Sequence, residues 1–150
     1  ANLVNFLLSL LVVALYLLFS GRLDSMFYYL PVAIMAHLAL VVGTSCLFAA
    51  VNVFFRDLEH IVSMGMMAWF FMTPVIYPID LVTERFGPAV CRIYFMNPMT
   101  GIVALYRAAL LGTPLPSDVS LMPALLIAAG IFVAGIFVFQ RLQRKFADVL

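Results

Sequence analysis

Charged residues are scarce in this chain. Only 10% of its 150 residues are Asp, Glu, Lys or Arg, 66% are hydrophobic, and the formal net charge is +1. A soluble domain has about a quarter charged residues and about half apolar ones. The composition therefore predicts an integral membrane protein. The small net charge disfavours a nucleic-acid partner, which requires a basic patch.

Cysteine and histidine are also scarce. Cys46 and Cys91 have no motif spacing, so free thiols are favoured over a disulfide or a metal site. His37 and His60 have no acidic cluster near them, and we expect no metal. His37 and Ser45 lie eight residues apart in one apolar run. In a helix that spacing is about 12 Å, too long for the hydrogen bond between a nucleophile and its base. Hydrogen bonding between helices is the favoured interpretation of both residues.

Three functional signatures are missing from the sequence. The chain opens with ANLVNFLLSLLVVALYLLFSG, without a basic segment, a cleavage pattern or an initiator methionine. A secretory signal is therefore not evident, and we expect the later part of a longer protein. It contains no GxxxxGK[ST] motif, so ATP would have to be bound by another subunit. Its apolar runs hold almost no ionisable groups, which disfavours a proton-driven pump or a voltage sensor.

Long apolar runs dominate what is present. Four of them could span a bilayer, at about residues 3–19, 30–55, 61–77 and 121–139. They are continuous rather than alternating, which predicts helices rather than strands. The predicted fold is all-α, with one transmembrane domain over residues 1–150. An outer region of short re-entrant or interfacial helices is expected at about 78–120, and a cytoplasmic tail at 140–150.

Two short helices are predicted in the outer region. In NPMTGIVALYRAALLG, Asn97 suits the N-cap, Pro98 the first helical position and Gly112 the C-terminal stop. This helix is too short to cross a membrane. In DLVTERFG, Asp80 could cap a second helix and Gly87 could end it.

A charged corner, RDLEH, joins the second and third apolar runs. The corner and the C-terminal tail lie on one side of a four-span topology, and the two sides carry equal numbers of basic residues. The tail cluster of Arg141, Arg144 and Lys145 adjoins a span, so the tail and the corner are placed in the cytoplasm. The corner charges could simply mark the interface. If the corner is helical, Arg56 and His60 form a polar knob that could dock a soluble partner.

The third run carries an unusual aromatic centre. Its residues Trp69–Phe71 are surrounded by methionines, and Pro74 should kink or end the helix. Packing with methionine as a filler is favoured, and an aromatic lining for a bulky amphipathic substrate is the alternative. Gly130 and Ala134 form a weak motif that could admit another helix closely.

Three motifs in order carry a family resemblance. VNVFFRDLEHIVSMGMMAWFFMTPVIYPID, followed by YFMNPMTGIVALYRAALLG, resembles the permease subunit of type-2 ABC transporters. The most similar branch exports polysaccharides: O-antigen, capsule and teichoic-acid precursors. The family pattern has an FRD-like corner, then TPxxYP, then NPxTxxxxxxRxxLLG. The matching positions are Phe55, Arg56, Asp57, Thr73, Pro74, Tyr77, Pro78, Asn97, Pro98, Thr100, Arg107, Leu110, Leu111 and Gly112.

The resemblance implies an assembly. Such permeases usually have six spans with both termini in the cytoplasm, of which this chain would hold the last four. A permease homodimer would bind two copies of an ABC ATPase, and the ATPase would hold ATP and Mg. The substrate would be a lipid-linked glycan in the bacterial inner membrane. The chain itself would be a transport subunit, without enzyme activity or a cofactor of its own.

The resemblance also implies residue roles. The ATPase-contacting corner would be Phe55, Arg56, Asp57, Glu59 and His60. The translocation path or gate would include Trp69, Phe70, Phe71, Tyr77, Tyr94 and Tyr106. The outer re-entrant structure would rest on Pro74, Pro78, Asn97, Pro98, Arg107 and Gly112. Two alternatives remain: a permease of the same family for drugs or small lipids, and a membrane scaffold that transports nothing.

Overall fold

The architecture is helical. The computed structural model describes residues 2–19, 28–53, 55, 58–115 and 120–143. Within these ranges there are seven α-helices and no strand, so the predicted all-α class is confirmed. The helices are α1 Asn2–Phe19, α2 Tyr29–Asn52, α3 Leu58–Met72, α4 Ile79–Phe86, α5 Pro88–Tyr94, α6 Pro98–Leu111 and α7 Met122–Leu142.

Two helices have the length and composition to cross a membrane. They are α2, with 24 residues, and α7, with 21 residues. At about 1.5 Å per residue both match a hydrocarbon core of roughly 30 Å. Shorter apolar helical stretches occur at Val4–Tyr16, Leu58–Met72 and Pro98–Leu111. The second and fourth predicted spans are thus candidates for membrane-spanning helices by their length and composition. The first and third predicted spans coincide with shorter apolar stretches.

The third predicted span ends early. The sequence placed its end near residue 77, but α3 stops at Met72. Thr73 N donates to the Phe70 carbonyl at 3.2 Å, which tightens the last turn. Pro74 follows and cannot donate a backbone hydrogen bond, so the helix does not resume. Residues 73–78 form a turn, the TPVIYP turn, that leads into α4.

The caps predicted for α6 are confirmed. The Asn97 side chain accepts from Met99 N, Pro98 is the first helical residue, and Gly112 has the left-handed φ of 65°. Glycine suits this position because it reaches positive φ without steric cost.

The other short helices differ in detail from the sequence prediction. Pro78, not Asp80, precedes α4, and Asp80 is the second residue of that helix. The predicted cap at Asp80 is therefore wrong. Gly87, with φ of 83°, ends α4 as predicted. It also precedes α5, which the sequence analysis did not predict although its Gly-Pro start suits a new helix.

The core lies where α2, α6 and α7 meet. Leu40, Ile102 and Ala128, one from each helix, form its buried cluster. Trp69 of α3 packs against this cluster while remaining partly exposed. The core is therefore a three-helix unit to which α3 is attached at the side.

Small residues allow close helix approach in this unit. A Cβ placed on Gly43 of α2 would lie 2.6 Å from the Phe132 Cα, and one placed on Gly135 would meet the Gly43 carbonyl. A Cβ placed on Gly130, which the sequence analysis singled out, would have nothing within 4 Å. The glycine that brings α7 onto α2 is therefore Gly135.

Candidate functional site

A single amide joins the end of α3 to the start of α6. Asn97 Oδ1 accepts from the Met99 backbone N–H at 3.1 Å and from Trp69 Nε1 at 2.8 Å. Asn97 Nδ2 donates to Thr73 Oγ1 at 3.0 Å, and that hydroxyl donates to the Trp69 carbonyl at 2.9 Å. We call this set, Trp69, Thr73, Asn97 and Met99 N, the Asn97 network. It caps α6 and holds the last turn of α3 with the same side chain.

Burial gives the Asn97 network its strength. Thr73 is only 2% exposed, and a buried polar group needs a partner to offset the loss of water. The Trp69 ring packs on the core, which shields the bond between its indole N–H and Asn97. Trp69 thus packs on the core and bonds to Asn97, and its ring also lines a cavity of about 190 Å³.

Arg107 holds the TPVIYP turn against α6. Its Nη2 donates to the Val75 carbonyl at 2.8 Å, and its Nη1 donates to the Tyr77 carbonyl at 3.1 Å. The turn does not continue a helix, so these carbonyls need partners outside a helical ladder. The planar guanidinium presents several donors in a fixed fork, which suits two nearby acceptors. We call this contact the Arg107 clamp.

A tyrosine of the TPVIYP turn meets a tyrosine of α5. The hydroxyl groups of Tyr77 and Tyr94 lie 3.5 Å apart. Burial, followed by the hydrogen bond with Tyr94, raises the pKa of Tyr77 to about 12.

The remaining aromatic candidates lie elsewhere. The Tyr106 hydroxyl is 3.4 Å from His37 Nδ1, and the Phe6 ring meets the His37 ring edge-on at 4.6 Å between centroids. Phe70 and Phe71 are exposed and pack edge to face, with centroids 5.5 Å apart. Of the six aromatic residues predicted for the path, Trp69 and Phe70 line one cavity of about 190 Å³, and the other four lie in the contacts described above.

The charged corner is described only in part. Arg56 and Asp57 lie outside the described residues. Phe55 is exposed, and Glu59 and His60 are exposed in the first turn of α3. A groove of about 240 Å³ adjoins them, lined by Phe48, Ala49, Asn52, Leu58, Glu59 and Val62. The described part of the corner is therefore open to contact.

A cavity lies between α2 and the outer half of α3. It has a volume of about 190 Å³, and its lining includes Thr44 of α2, Met66 of α3 and three members of the Asn97 network, Trp69, Thr73 and Met99. No side chain of α3 is buried among those described.

Sequence reasoning missed the contacts between the motifs. It assigned Asn97 to the cap of α6, but not to bonds with residues 24 and 28 positions earlier. It placed Arg107 in the outer structure but did not identify the backbone carbonyls that accept its hydrogen bonds. The only available signal was that the TP, YP and NP motifs and Arg107 occur together in a fixed order.

Comparison with known proteins identifies permeases that are similar to this chain. No protein-family model matches the chain. It is 30% identical over 148 residues to the O-antigen export system permease protein RfbA of Myxococcus xanthus, covering 98% of this chain and 56% of that protein. It is 29% identical over 150 residues to the protein of the same name from Klebsiella pneumoniae, covering 97% of this chain and 55% of that protein. The chain spans about half the length of the curated relatives it matches.

Proposed function

From the homology of this chain to O-antigen export permeases, which confirms the resemblance seen in its sequence, we propose that it forms part of the permease subunit of an ATP-driven polysaccharide exporter. The relationship over 98% of the chain is the observation that carries this proposal. It favours a transport component over an enzyme. The apolar helices α2 and α7 agree with a location in the bacterial inner membrane.

The proposed energy source is a separate ABC ATPase. The sequence contains no GxxxxGK[ST] motif for a nucleotide phosphate, so ATP and Mg are assigned to that partner. The proposed complex has two permease copies and two ATPase copies. The corner and the C-terminal tail face the cytoplasm, where the ATPase would dock.

The proposed mechanism is mechanical. Closure of the ATPase pushes on the corner at Phe55, Arg56, Asp57, Glu59 and His60. The exposure of Glu59 and His60 at the start of α3 supports this contact. The helix then carries the movement toward the outer region of α4, α5 and α6. A rigid helix with a loaded end and a fixed end can act as a lever.

The proposed substrate is a lipid-linked glycan of the O-antigen, capsule or teichoic-acid type. The relatives from Myxococcus xanthus and Klebsiella pneumoniae are O-antigen export permeases, which supports export of O-antigen. Exposed aromatic rings, such as Phe70 and Phe71, offer apolar faces to a sugar or a lipid chain.

Reconstitution tests the proposal. The full-length permease and its ATPase are placed in liposomes with a lipid-linked glycan, and ATP hydrolysis and glycan transfer are measured. We expect the glycolipid to stimulate hydrolysis and to cross the bilayer. Stimulation only by drugs or small lipids would favour the alternative permease. A complex with no nucleotide-dependent change would favour the scaffold.

A further inference from the structure

We propose that a cavity beside α6 binds the phosphate group of a lipid, with Arg107 as its charged contact and Thr100 as a second polar contact. The cavity is lined by the TPVIYP turn, by α6 and by residues 113–115, and we call it the Arg107 cavity. This site goes beyond the proposed function, and its binding test needs neither an ATPase nor a glycan.

Arg107 brings a positive charge to the cavity, and no described carboxylate pairs with it. A guanidinium carries five N–H groups, and two of those of Arg107 donate to the Val75 and Tyr77 carbonyls. These two bonds hold the group in place, and the other three N–H groups have no acceptor among the described residues. A charge in apolar surroundings is costly unless it is paired. An anionic ligand would provide the missing partner.

Thr100 is a second polar residue of the cavity that lacks a partner. It is 1% exposed, and its hydroxyl makes no hydrogen bond within the described part of the chain. Thr100 and Arg107 lie seven residues apart, so they share one face of α6 and are about 10 Å apart along its axis. Val103 and Ala104 lie between them and also line the cavity. Because a buried hydroxyl usually has a partner, we expect the ligand of the cavity to supply one.

The remaining lining favours a lipid over a small inorganic ion. Thr113 is the one further polar residue, and the other ten described lining residues are apolar, Phe95, Leu111 and Leu115 among them. A hydrocarbon chain can cover this apolar wall while the phosphate reaches Arg107. The planar guanidinium suits phosphate because its fork of donors matches the phosphate oxygens. The volume of about 310 Å³ is at the lower end of the range of about 300–1,000 Å³ found for small-ligand sites.

The Thr100 end of the cavity lies near one end of a candidate membrane-spanning helix. Gly101 is the next residue of α6, and a Cβ on it would meet the Ala124 Cβ. Ala124 is the third residue of α7, which has the length and composition to cross a membrane. Lipid headgroups lie at the ends of such helices, outside the hydrocarbon core. A lipid phosphate is therefore available at this level.

The experiment measures lipid binding to the full-length permease in detergent by native mass spectrometry. The probes are phosphatidylglycerol and diacylglycerol with the same acyl chains, of which only the first contains phosphate. We expect phosphatidylglycerol to bind about tenfold more tightly, and Arg107→Gln to abolish this preference, because charge-assisted hydrogen bonds to the phosphate are lost.

A second variant separates binding from stability, since Arg107 also holds the TPVIYP turn. Thr100→Val keeps the shape of the side chain and removes a hydroxyl that has no partner in the described chain. It should therefore leave the unfolding temperature of the lipid-free permease unchanged or higher. We expect it to weaken phosphatidylglycerol binding about fivefold, the factor that one ordinary hydrogen bond contributes to an equilibrium.

Matched controls remove the same groups elsewhere. Arg92 is exposed on α5, and the Thr83 hydroxyl bonds within α4 to the Ile79 carbonyl at 3.4 Å. Neither residue lines the cavity, so Arg92→Gln and Thr83→Val should bind phosphatidylglycerol as the unmodified permease does. If Arg107→Gln and Thr100→Val bind it as tightly as these controls, the inference is wrong. That result would also follow if another part of the full-length protein pairs with Arg107.

Further probes identify the source of the phosphate. An isoprenyl phosphate, compared with the isoprenol of the same length, represents a carrier lipid, and phosphatidylglycerol represents a lipid of the bilayer. Whichever of the two phosphates loses more affinity with Thr100→Val is assigned to the cavity. Inorganic phosphate that competes as strongly as either lipid would show that the apolar wall contributes nothing, and would overturn the assignment to a lipid.

Discussion

At the scale of single residues, Arg107 shows how a charged side chain can serve the fold of a largely apolar protein. A guanidinium in apolar surroundings is costly unless its N–H groups are bonded. Here two of them bond to the carbonyls of Val75 and Tyr77. The positive charge thus stabilises a turn that would otherwise leave backbone acceptors without a helical partner.

Because of the Arg107 clamp, we expect substitution of Arg107 to lower the stability of the protein. Arg107→Gln removes two charge-assisted hydrogen bonds and should lower the free energy of unfolding by about 2–4 kcal/mol. Arg107→Lys keeps the charge but not the planar fork, so its effect should be intermediate. Thermal unfolding of the detergent-solubilised, full-length permease measures both changes.

The exposed Arg92 of α5 offers a control for the clamp. Arg92→Gln removes the same charge from a short outer helix and should change stability by no more than about 0.5 kcal/mol. Equal unfolding temperatures for Arg107→Gln and Arg92→Gln would show that the clamp contributes nothing.

Asn97 marks the limit of prediction at this scale. Its role as the N-cap of α6 follows from local sequence, since an asparagine before a proline suits that position. Its bonds to Trp69 and Thr73 do not, because they depend on how two distant helices come together. The position of the Trp69 ring depends on the same arrangement of helices.

At the scale of helices, the crossing of α2 and α7 depends on two glycines. The Gly43 backbone approaches α7 so closely that a Cβ on Gly135 would meet its carbonyl. Gly130 and Ala134 had suggested a contact face from their spacing, yet both are exposed in the described chain. Spacing within one helix identifies small residues. It does not tell which of them faces the neighbouring helix.

Paired substitutions in α7 test this crossing. Gly135→Ala should force α2 and α7 apart and lower stability by about 1–3 kcal/mol, the usual cost of overpacking. Gly130→Ala introduces the same methyl group in the same helix, where nothing lies within 4 Å, and should cause no loss. Denaturant titration of both variants in detergent compares them. Similar stabilities would contradict the close approach at Gly135.

The helix boundaries show which elements could be predicted. Long apolar runs predicted α2 and α7 closely, because continuous hydrophobicity is a strong signal. The end of α3 was placed too late, since Val75, Ile76 and Tyr77 extend the apolar run beyond the turn that Pro74 begins. The short α5 was missed because seven residues carry little periodicity.

At the scale of the whole molecule, α3 connects two different ends. Its first turn carries the exposed Glu59 and His60, and its last turn joins the Asn97 network. The outer helices α4 and α5 follow beyond that network. The two ends of α3 therefore differ in chemistry, with exposed ionisable groups at the first and a part-buried hydrogen-bond network at the second.

The last prediction concerns the charged corner in the assembled transporter. Exchanging its adjacent charges, Arg56→Asp with Asp57→Arg, keeps the net charge but reverses the local pattern. If the ATPase docks there, its affinity for the full-length permease should fall about tenfold, and the salt dependence of binding should change. Glu84→Arg with Arg85→Glu makes the same exchange on exposed residues of α4, beyond the other end of α3, and should leave binding intact.

Co-purification of the ATPase with tagged permease over a range of salt concentrations compares the two exchanges. Equal recovery of the ATPase with both would remove the corner from the docking surface, because only the position of the reversed charges differs between them.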